Sequence, residues 1–212
     1  MSTLAASEQE HRATETAAAK TIHPVWVRVC HWTNAVAMVI MIMSGWQIYN
    51  ASPLFDFTFS RSITLGGWLG GALQWHFAAM WLLGINGLVY VILGFAIGRF
   101  RRKLVPISPS GVIADAKAAL TGKLSHDDLS TYNSVQKLLY AGIILIGVLI
   151  ILSGLSIWKP VQFQYLTALF GGYDVARYVH FFAMAAIVLF LVVHVIMALL
   201  VPKSLRAMLT GR

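Results

Sequence analysis

The sequence predicts an all-α integral membrane protein, a four-helix bundle with both termini on the cytoplasmic side. Of its 212 residues, 58% are hydrophobic and 11% are charged, whereas soluble domains carry roughly 25% charged residues. Four apolar stretches are long enough to cross a bilayer, and the basic residues flank these stretches. Because of this distribution, membrane topology explains the net charge of +8 better than nucleic-acid binding does.

A spanning helix needs about 20 consecutive, predominantly apolar residues. The sequence satisfies this rule near residues 25–49, 74–97, 135–157 and 179–201. None of these stretches contains Asp or Glu. This counts against a proton-coupled carrier, since transport pathways usually hold carboxylates within the membrane.

The lysines and arginines orient the four helices. Thirteen of the 16 lie in the N-terminal tail, between the second and third spans, after the fourth span, or at the starts of the first and third spans. The opposite side carries Arg61, Lys159 and Arg177. Cytoplasmic segments hold the excess of basic residues, so both termini are predicted to lie inside.

Residues 1–23 are predicted to form a polar cytoplasmic tail, and residues 24–212 the transmembrane domain. The tail lacks the apolar core of a signal peptide. Cys30 is the single cysteine, which excludes an intrachain disulfide and a CxxCH haem-attachment motif.

The connections between the spans differ in character. On the inside, Ser108 or Ser110 is suited to cap a short helix. The outside segments, residues 50–74 and 159–176, are rich in aromatic residues and glycine but weakly charged. They suit either the membrane interface or a docking surface for a partner.

The two helical hairpins resemble each other in sequence. "HFAAM" at 76–80 opens the second span, and "HFFAM" at 180–184 opens the fourth. "MSGWQIY" at 43–49 closes the first span, and "LSGLSIW" at 152–158 closes the third. These matches indicate two copies of one hairpin.

Four of the seven histidines lie within or at the ends of spans: His31, His76, His180 and His194. Polar residues inside a membrane are costly and usually face the bundle interior for a function. His180 and His194 are fourteen residues apart, which puts them on nearly the same face and about 21 Å apart along the axis. His76 shares the outer level with His180, and His31 shares the inner level with His194.

A pair of imidazoles from facing helices is what a bis-histidine b haem needs, and bundle interiors commonly hold such sites. Arg28 and Arg177 each precede a histidine by three residues, where they could pair with haem propionates. Gly45 and Gly154 could let a flat ring approach the backbone. Each of these features has an alternative explanation. The arginines could snorkel to the membrane interface, and the glycines could serve helix packing. The histidines could form a proton relay or interhelical hydrogen bonds.

The pattern resembles the four-helix di-haem cytochrome b subunits of bacterial respiratory enzymes, which include those of formate dehydrogenase, nickel–iron hydrogenase and thiosulfate reductase. The resemblance covers about residues 24–212. Its most specific parts are "HPVWVRVCHW", "YNSVQK", the spacing of the last two histidines, and "VPKSLRAMLTGR".

The resemblance implies two b haems in the bacterial inner membrane, held by His31 with His194 and by His76 with His180. It also implies a quinone pocket beside the inner haem, lined by Asn133 and His194. The family member has glycine two residues after this asparagine, whereas this chain has Val135, which alters the pocket. Asn133 is also suited to cap the third span.

The function that follows is electron transfer between membrane quinone or quinol and a periplasmic redox partner, implied to be a molybdopterin oxidoreductase. The alternative is a stand-alone membrane enzyme, such as a superoxide:quinone oxidase. That enzyme would need a positively charged funnel on the outside, to which Arg61, Lys159 and Arg177 could contribute. A haem-free anchor would leave the four histidines unexplained.

Overall fold

The computed structural model describes residues 22–98, 108–120 and 134–211, and the regular structure in these ranges is helical. The membrane-spanning helices are α1 (Val25–Ala51), α2 (Leu69–Ala96), α4 (Ser134–Trp158) and α6 (Tyr173–Leu200). The shorter elements are α3 (Pro109–Leu120), α5 (Gln164–Leu169), α7 (Pro202–Thr210) and the 3-10 turn Arg61–Ile63. The predicted all-α fold with four spans is confirmed. The inside location of both termini and the division between tail and domain stay predictions.

Helices α2 and α6 begin five to six residues before the predicted spans, at Leu69 and Tyr173. The hydropathy rule missed these first turns because they contain glycine, aspartate and arginine residues. Helix α6 begins directly after Gly171 and Gly172, whose φ angles of 85° and 108° lie in the region that favours glycine. Asp174 in the first turn then interacts favourably with the helix dipole.

The long helices form two hairpins, α1 with α2 and α4 with α6, and these are the closest helix pairings in the described chain. Small buried residues line both contacts, as expected where helices associate in lipid. They fall at equivalent places in the two copies: Ser44 and Ser153, Ala72 and Ala176, Ala79 and Ala183. The structure therefore supports the interpretation of the hairpins as an internal repeat.

Large apolar side chains of the spans point away from these contacts. Leu88, Leu145 and Leu189 are each more than 60% exposed. A bilayer surrounds such side chains with lipid, while backbone polar groups are satisfied within the helices. The polar residues that remain inside the bundle are therefore the ones whose presence needs an explanation.

The short helix α3, in the segment predicted to lie inside, is capped as the sequence suggested, and Ser108 is the capping residue. Its Oγ accepts a hydrogen bond from the backbone N–H of Gly111 at 3.3 Å, and Pro109 occupies the first helical position. Asp115 Oδ2 accepts the backbone N–H of Ser134 at 2.6 Å. This bond joins α3 to the start of α4.

The last helix, α7, lies beside the start of α1. The backbone N–H of Ile22 donates to Gly211 O at 2.9 Å, and Trp32 Nε1 donates to Met208 O at 3.4 Å. Gly211 ends α7 with φ 89°, a conformation that suits glycine at a helix end. A Cβ there would also lie 3.3 Å from His23 O. Helix α7 is thus held close to the inner end of α1.

Candidate haem-binding centre

His76 and His180 occupy equivalent places in the two hairpins, and each contacts a buried serine of the helix that it faces. His76 Nδ1 lies 3.0 Å from Ser44 Oγ in α1. His180 Nδ1 lies 3.2 Å from Ser153 Oγ in α4. His76 and His180 thus occupy matching positions, each anchored to a serine of its own hairpin, and their pairing at one haem stays a prediction.

The hydrogen bonds determine which ring nitrogen carries the proton. His180 Nδ1 also lies 3.1 Å from Ile150 O, and a carbonyl oxygen can only accept, so Nδ1 must be the donor. Ser44 Oγ donates its single proton to the helix carbonyl of Ile40 at 2.6 Å. Its oxygen therefore accepts from His76 Nδ1. In both rings Nε2 keeps the lone pair that a metal ligand needs.

Gly45 and Gly154 lie directly beside these two rings. A Cβ added to Gly45 would lie 3.5 Å from His76 Cε1, and one added to Gly154 would lie 3.1 Å from His180 Cε1. In the structure, the flat group that each glycine accommodates is therefore an imidazole of the facing helix. The predicted contact of these glycines with a cofactor stays a prediction.

His31 and His194 form the inner pair. Their ring centroids are 5.9 Å apart and their planes are inclined by 60°. Trp32 lies edge-on to His31 at 5.3 Å, and Phe190 stacks on His194 at 5.8 Å. Within the described residues neither of these imidazoles makes a hydrogen bond. The inner pair is thus walled by aromatic rings, whereas the outer pair is hydrogen-bonded.

The spacing of the inner pair fits a metal ion bound between two imidazoles. Metal–imidazole bonds of about 2.0–2.1 Å place the two ring centroids roughly 6 Å apart. In the described ranges no group of three or more His, Cys, Asp or Glu residues could hold a metal, as a protein zinc site would need. Two opposed histidines would instead supply the protein ligands of a haem iron.

Arg28 and Arg177 both bind carbonyl groups at the C-terminal end of another helix, where the dipole favours a cation. Arg28 Nη1 donates to Leu209 O at 2.7 Å. Arg177 Nη2 donates to Ser52 O at 2.5 Å and to Ser52 Oγ at 3.1 Å. Arg28 Nε is buried and has no hydrogen-bond partner among the described residues. Contacts of Arg28 and Arg177 with haem propionates stay predictions.

At the end of the bundle that is predicted to lie outside, residues 53–59 form a loop of aromatic side chains, here called the outer aromatic loop. Asn50 holds its end, because its Nδ2 donates to Phe59 O and its Oδ1 accepts from Phe59 N, both at 2.8 Å. Phe55 packs against Phe181 of α6 at 5.3 Å, and Phe57 is 46% exposed. An open cavity of about 440 Å³ is lined by residues 53–58. The loop thus joins the bundle to an apolar outer surface.

Two polar features of the bundle were not predicted. One is the pair of serines that bind the outer histidines, although the "SG" shared by both repeats could have indicated them. The other is Asn86, whose Nδ2 donates to Asn34 Oδ1 at 2.6 Å and to Cys30 O at 2.8 Å. Asn133 lies outside the described residues.

Comparison with known proteins identifies the family. The model of the family described as prokaryotic cytochrome b561 matches residues 22–211. The chain belongs to this family. The predicted resemblance to bacterial membrane cytochrome b subunits is thereby confirmed. As a member, the chain is a multi-pass protein of the bacterial inner membrane that binds haem b and acts as a membrane electron-transfer subunit.

One relative of this cytochrome is described by name. It is the putative protein-methionine-sulfoxide reductase subunit YedZ1 of Azospira oryzae. The two chains are 55% identical over 190 residues, which cover 90% of this chain and 96% of the relative. The similarity therefore extends over most of the chain.

Proposed function

We propose that this cytochrome holds two b haems and transfers electrons between membrane quinol and a periplasmic redox partner. One haem would be held by His31 and His194, and the other by His76 and His180. The observation that carries the proposal is the presence of two histidine pairs at two depths of one bundle, with α6 contributing to both. An axial separation of about 21 Å spans most of a hydrocarbon core of roughly 30 Å.

A haem b bound at each pair would supply one-electron exchange. The protein residues would orient it and exclude water. Trp32 and Phe190 wall the inner pair, and Arg28 Nε offers a donor to a propionate. Asn133 and His194 would line the quinone pocket at the inner level. Moving one charge across the membrane involves about 2.3 kcal/mol per 100 mV, so the direction of transfer changes its energetics.

The name of the relative suggests the class of partner. YedZ1 is described as a subunit of a putative protein-methionine-sulfoxide reductase, and we extend this role to the present chain. Its partner would be a periplasmic molybdopterin oxidoreductase that reduces methionine sulfoxide. One quinol releases two electrons and two protons, and one sulfoxide consumes two of each to form methionine and water. Electrons would therefore move outward, from the inner pair to the outer pair.

The residues of the outer face favour docking of a protein partner rather than a positively charged funnel for superoxide. Two of its three cations already make intramolecular contacts. Arg177 binds Ser52, and Lys159 Nζ lies 5.3 Å from the ring centroid of Trp158. The outer aromatic loop adds an apolar surface near the outer pair. Such a surface favours contact with another protein, because exposed aromatic residues are enriched at interfaces.

The decisive experiment is the haem content of the detergent-purified protein, measured as the pyridine haemochrome and combined with a redox titration. We expect two non-covalent b haems per polypeptide and quinol-dependent reduction of both. One haem would mean that one histidine pair is structural, and transmembrane transfer would fail. No haem in a haem-supplied host would contradict the proposal entirely. Co-purification with a methionine sulfoxide reductase would test the partner separately.

A further inference from the structure

We propose that Ser44 and Ser153 lower the reduction potential of the outer haem by accepting hydrogen bonds from the outer histidines, and that Ser44 has the larger effect. This inference rests on the proposed function, since it requires a haem between His76 and His180. The serines act through the histidines and are therefore positioning residues.

The hydroxyl groups of both serines have a fixed direction. Ser44 Oγ donates to Ile40 O at 2.6 Å, and Ser153 Oγ donates to Leu149 O at 2.8 Å. Both serines are fully buried, so water does not compete for these bonds. Because each proton is committed to a carbonyl of its own helix, each oxygen can only accept from the imidazole that faces it.

The direction of the hydrogen bond determines the sign of the effect on the potential. An imidazole whose N–H donates to an acceptor becomes a more basic ligand through its other nitrogen. A more basic ligand stabilises ferric over ferrous iron and lowers the potential. Among the described residues, neither His31 nor His194 makes such a bond. The serines therefore distinguish the outer haem from the inner one.

The two copies differ in one contact, which predicts unequal effects. His180 Nδ1 has a second acceptor, Ile150 O at 3.1 Å. The carbonyl of Met41 faces His76, but within the described chain Ser44 is the group that meets hydrogen-bond geometry with this ring. Removing the Ser44 hydroxyl should therefore leave His76 with only the Met41 carbonyl, which does not meet hydrogen-bond geometry with the ring, whereas His180 keeps Ile150 O at 3.1 Å when Ser153 is replaced.

The test is a redox titration of the full-length, haem-loaded protein, with the ferric EPR signal as a second readout. A hydrogen bond is worth about 1 kcal/mol, so Ser44→Ala should shift the reduction equilibrium of the outer haem roughly fivefold toward ferrous iron. This equals a rise of about 40 mV at 59 mV per tenfold change. Ser153→Ala should shift the equilibrium less than twofold. The outer haem is the one that His180→Ala removes.

Ser156→Ala is the matched control. Ser156 is also fully buried in α4 and donates to Leu152 O at 3.1 Å, but it makes no hydrogen bond to a histidine of the described chain. This variant should leave both potentials unchanged. Ser44→Cys, which retains a weaker acceptor, should give an intermediate shift and serves if Ser44→Ala binds haem poorly.

The outcomes separate this inference from the proposed function. Two haems per chain with an unshifted potential in Ser44→Ala, or an equal shift in Ser156→Ala, would overturn the role of the serines alone. A wild-type protein that lacks a haem at the outer pair would overturn the proposed function as well. A rise confined to the outer haem and larger for Ser44 than for Ser153 would support the inference.

Discussion

Replacing Gly154 with alanine should disturb the outer histidine pair, whereas Gly45→Ala, at the equivalent place in the other hairpin, should not. The added Cβ at Gly154 would lie 3.1 Å from His180 Cε1 and 3.5 Å from its Nδ1. At Gly45 the corresponding distances to His76 are 3.5 and 3.8 Å. Ordinary van der Waals contact begins near 3.4 Å, so the Gly154 variant alone forces an imidazole to move.

The size of the effect follows from the surroundings of His180. Its ring has to move away from α4 by at least about 0.3 Å, as judged from the contact at Gly154. Both of its acceptors, Ser153 Oγ at 3.2 Å and Ile150 O at 3.1 Å, lie on α4. Each bond would lengthen beyond the usual range for N–H···O, which ends at about 3.2 Å. Losing about 1 kcal/mol of hydrogen bonding corresponds to roughly fivefold weaker haem retention.

The difference in helix propensity between glycine and alanine lets the unfolding temperatures of the two variants be compared. Alanine in place of glycine in a helix interior stabilises by about 0.8–1.0 kcal/mol, and this gain applies to both variants. We therefore expect Gly45→Ala to unfold at a higher temperature with unchanged haem content. Gly154→Ala should unfold at nearly the wild-type temperature, because the gain and the loss offset each other.

The assay is the haem-to-polypeptide ratio by pyridine haemochrome, followed by the rate of haem transfer to apomyoglobin in detergent. Wild type and the Gly45 variant should release haem at the same rate, and the Gly154 variant about fivefold faster, from the estimate above. Equal retention in the two variants, or a greater loss from Gly45→Ala, would refute the packing argument.

Three further predictions concern the proposed pathway. His194→Ala should remove the inner haem and abolish quinol oxidation, whereas His180→Ala should remove the outer haem and abolish electron exchange with the partner. Difference spectra would identify the lost haem. A variant that retained both haems would show the pairing to be wrong. Arg177→Gln should lower the unfolding temperature, with a loss of about 1 kcal/mol after allowance for solvent exposure, because it breaks the link between α6 and the end of α1, while Lys159→Gln should not. Asn133→Ala should slow quinol oxidation at constant haem content; unchanged kinetics would leave Asn133 with a capping role only.

The predicted helices agree well with the structure over the apolar segments that cross the membrane. All four spans were expected, because a bilayer requires long apolar segments whose backbone is hydrogen-bonded internally. The starts of α2 and α6 were placed too late, since turns such as the one opening at Tyr173 extend past the apolar core into polar outer surface. Ser108 was named as a possible cap because its hydroxyl can bind a nearby N–H without any tertiary contact.

Helix geometry and the family resemblance each contributed to predicting the candidate site. Helical periodicity and span orientation assign His31 with His194, and His76 with His180, to common depths, because rise and rotation per residue are constant along a helix. The resemblance to cytochrome b subunits came from several short motifs spread over the chain. Neither source indicated that Arg28 would bind Leu209 O, since that contact joins residues far apart in the sequence.

The sequence by itself determined the number of spans, the two depths of histidine and the family, since each follows from local composition and spacing. Tertiary structure decided what surrounds each histidine. It placed serines at the outer pair and aromatic rings at the inner pair, and it brought the Ile150 carbonyl within 3.1 Å of His180 Nδ1. The reason is physical: a hydrogen bond depends on distances of a few tenths of an ångström, which only the packing of one helix against another can set.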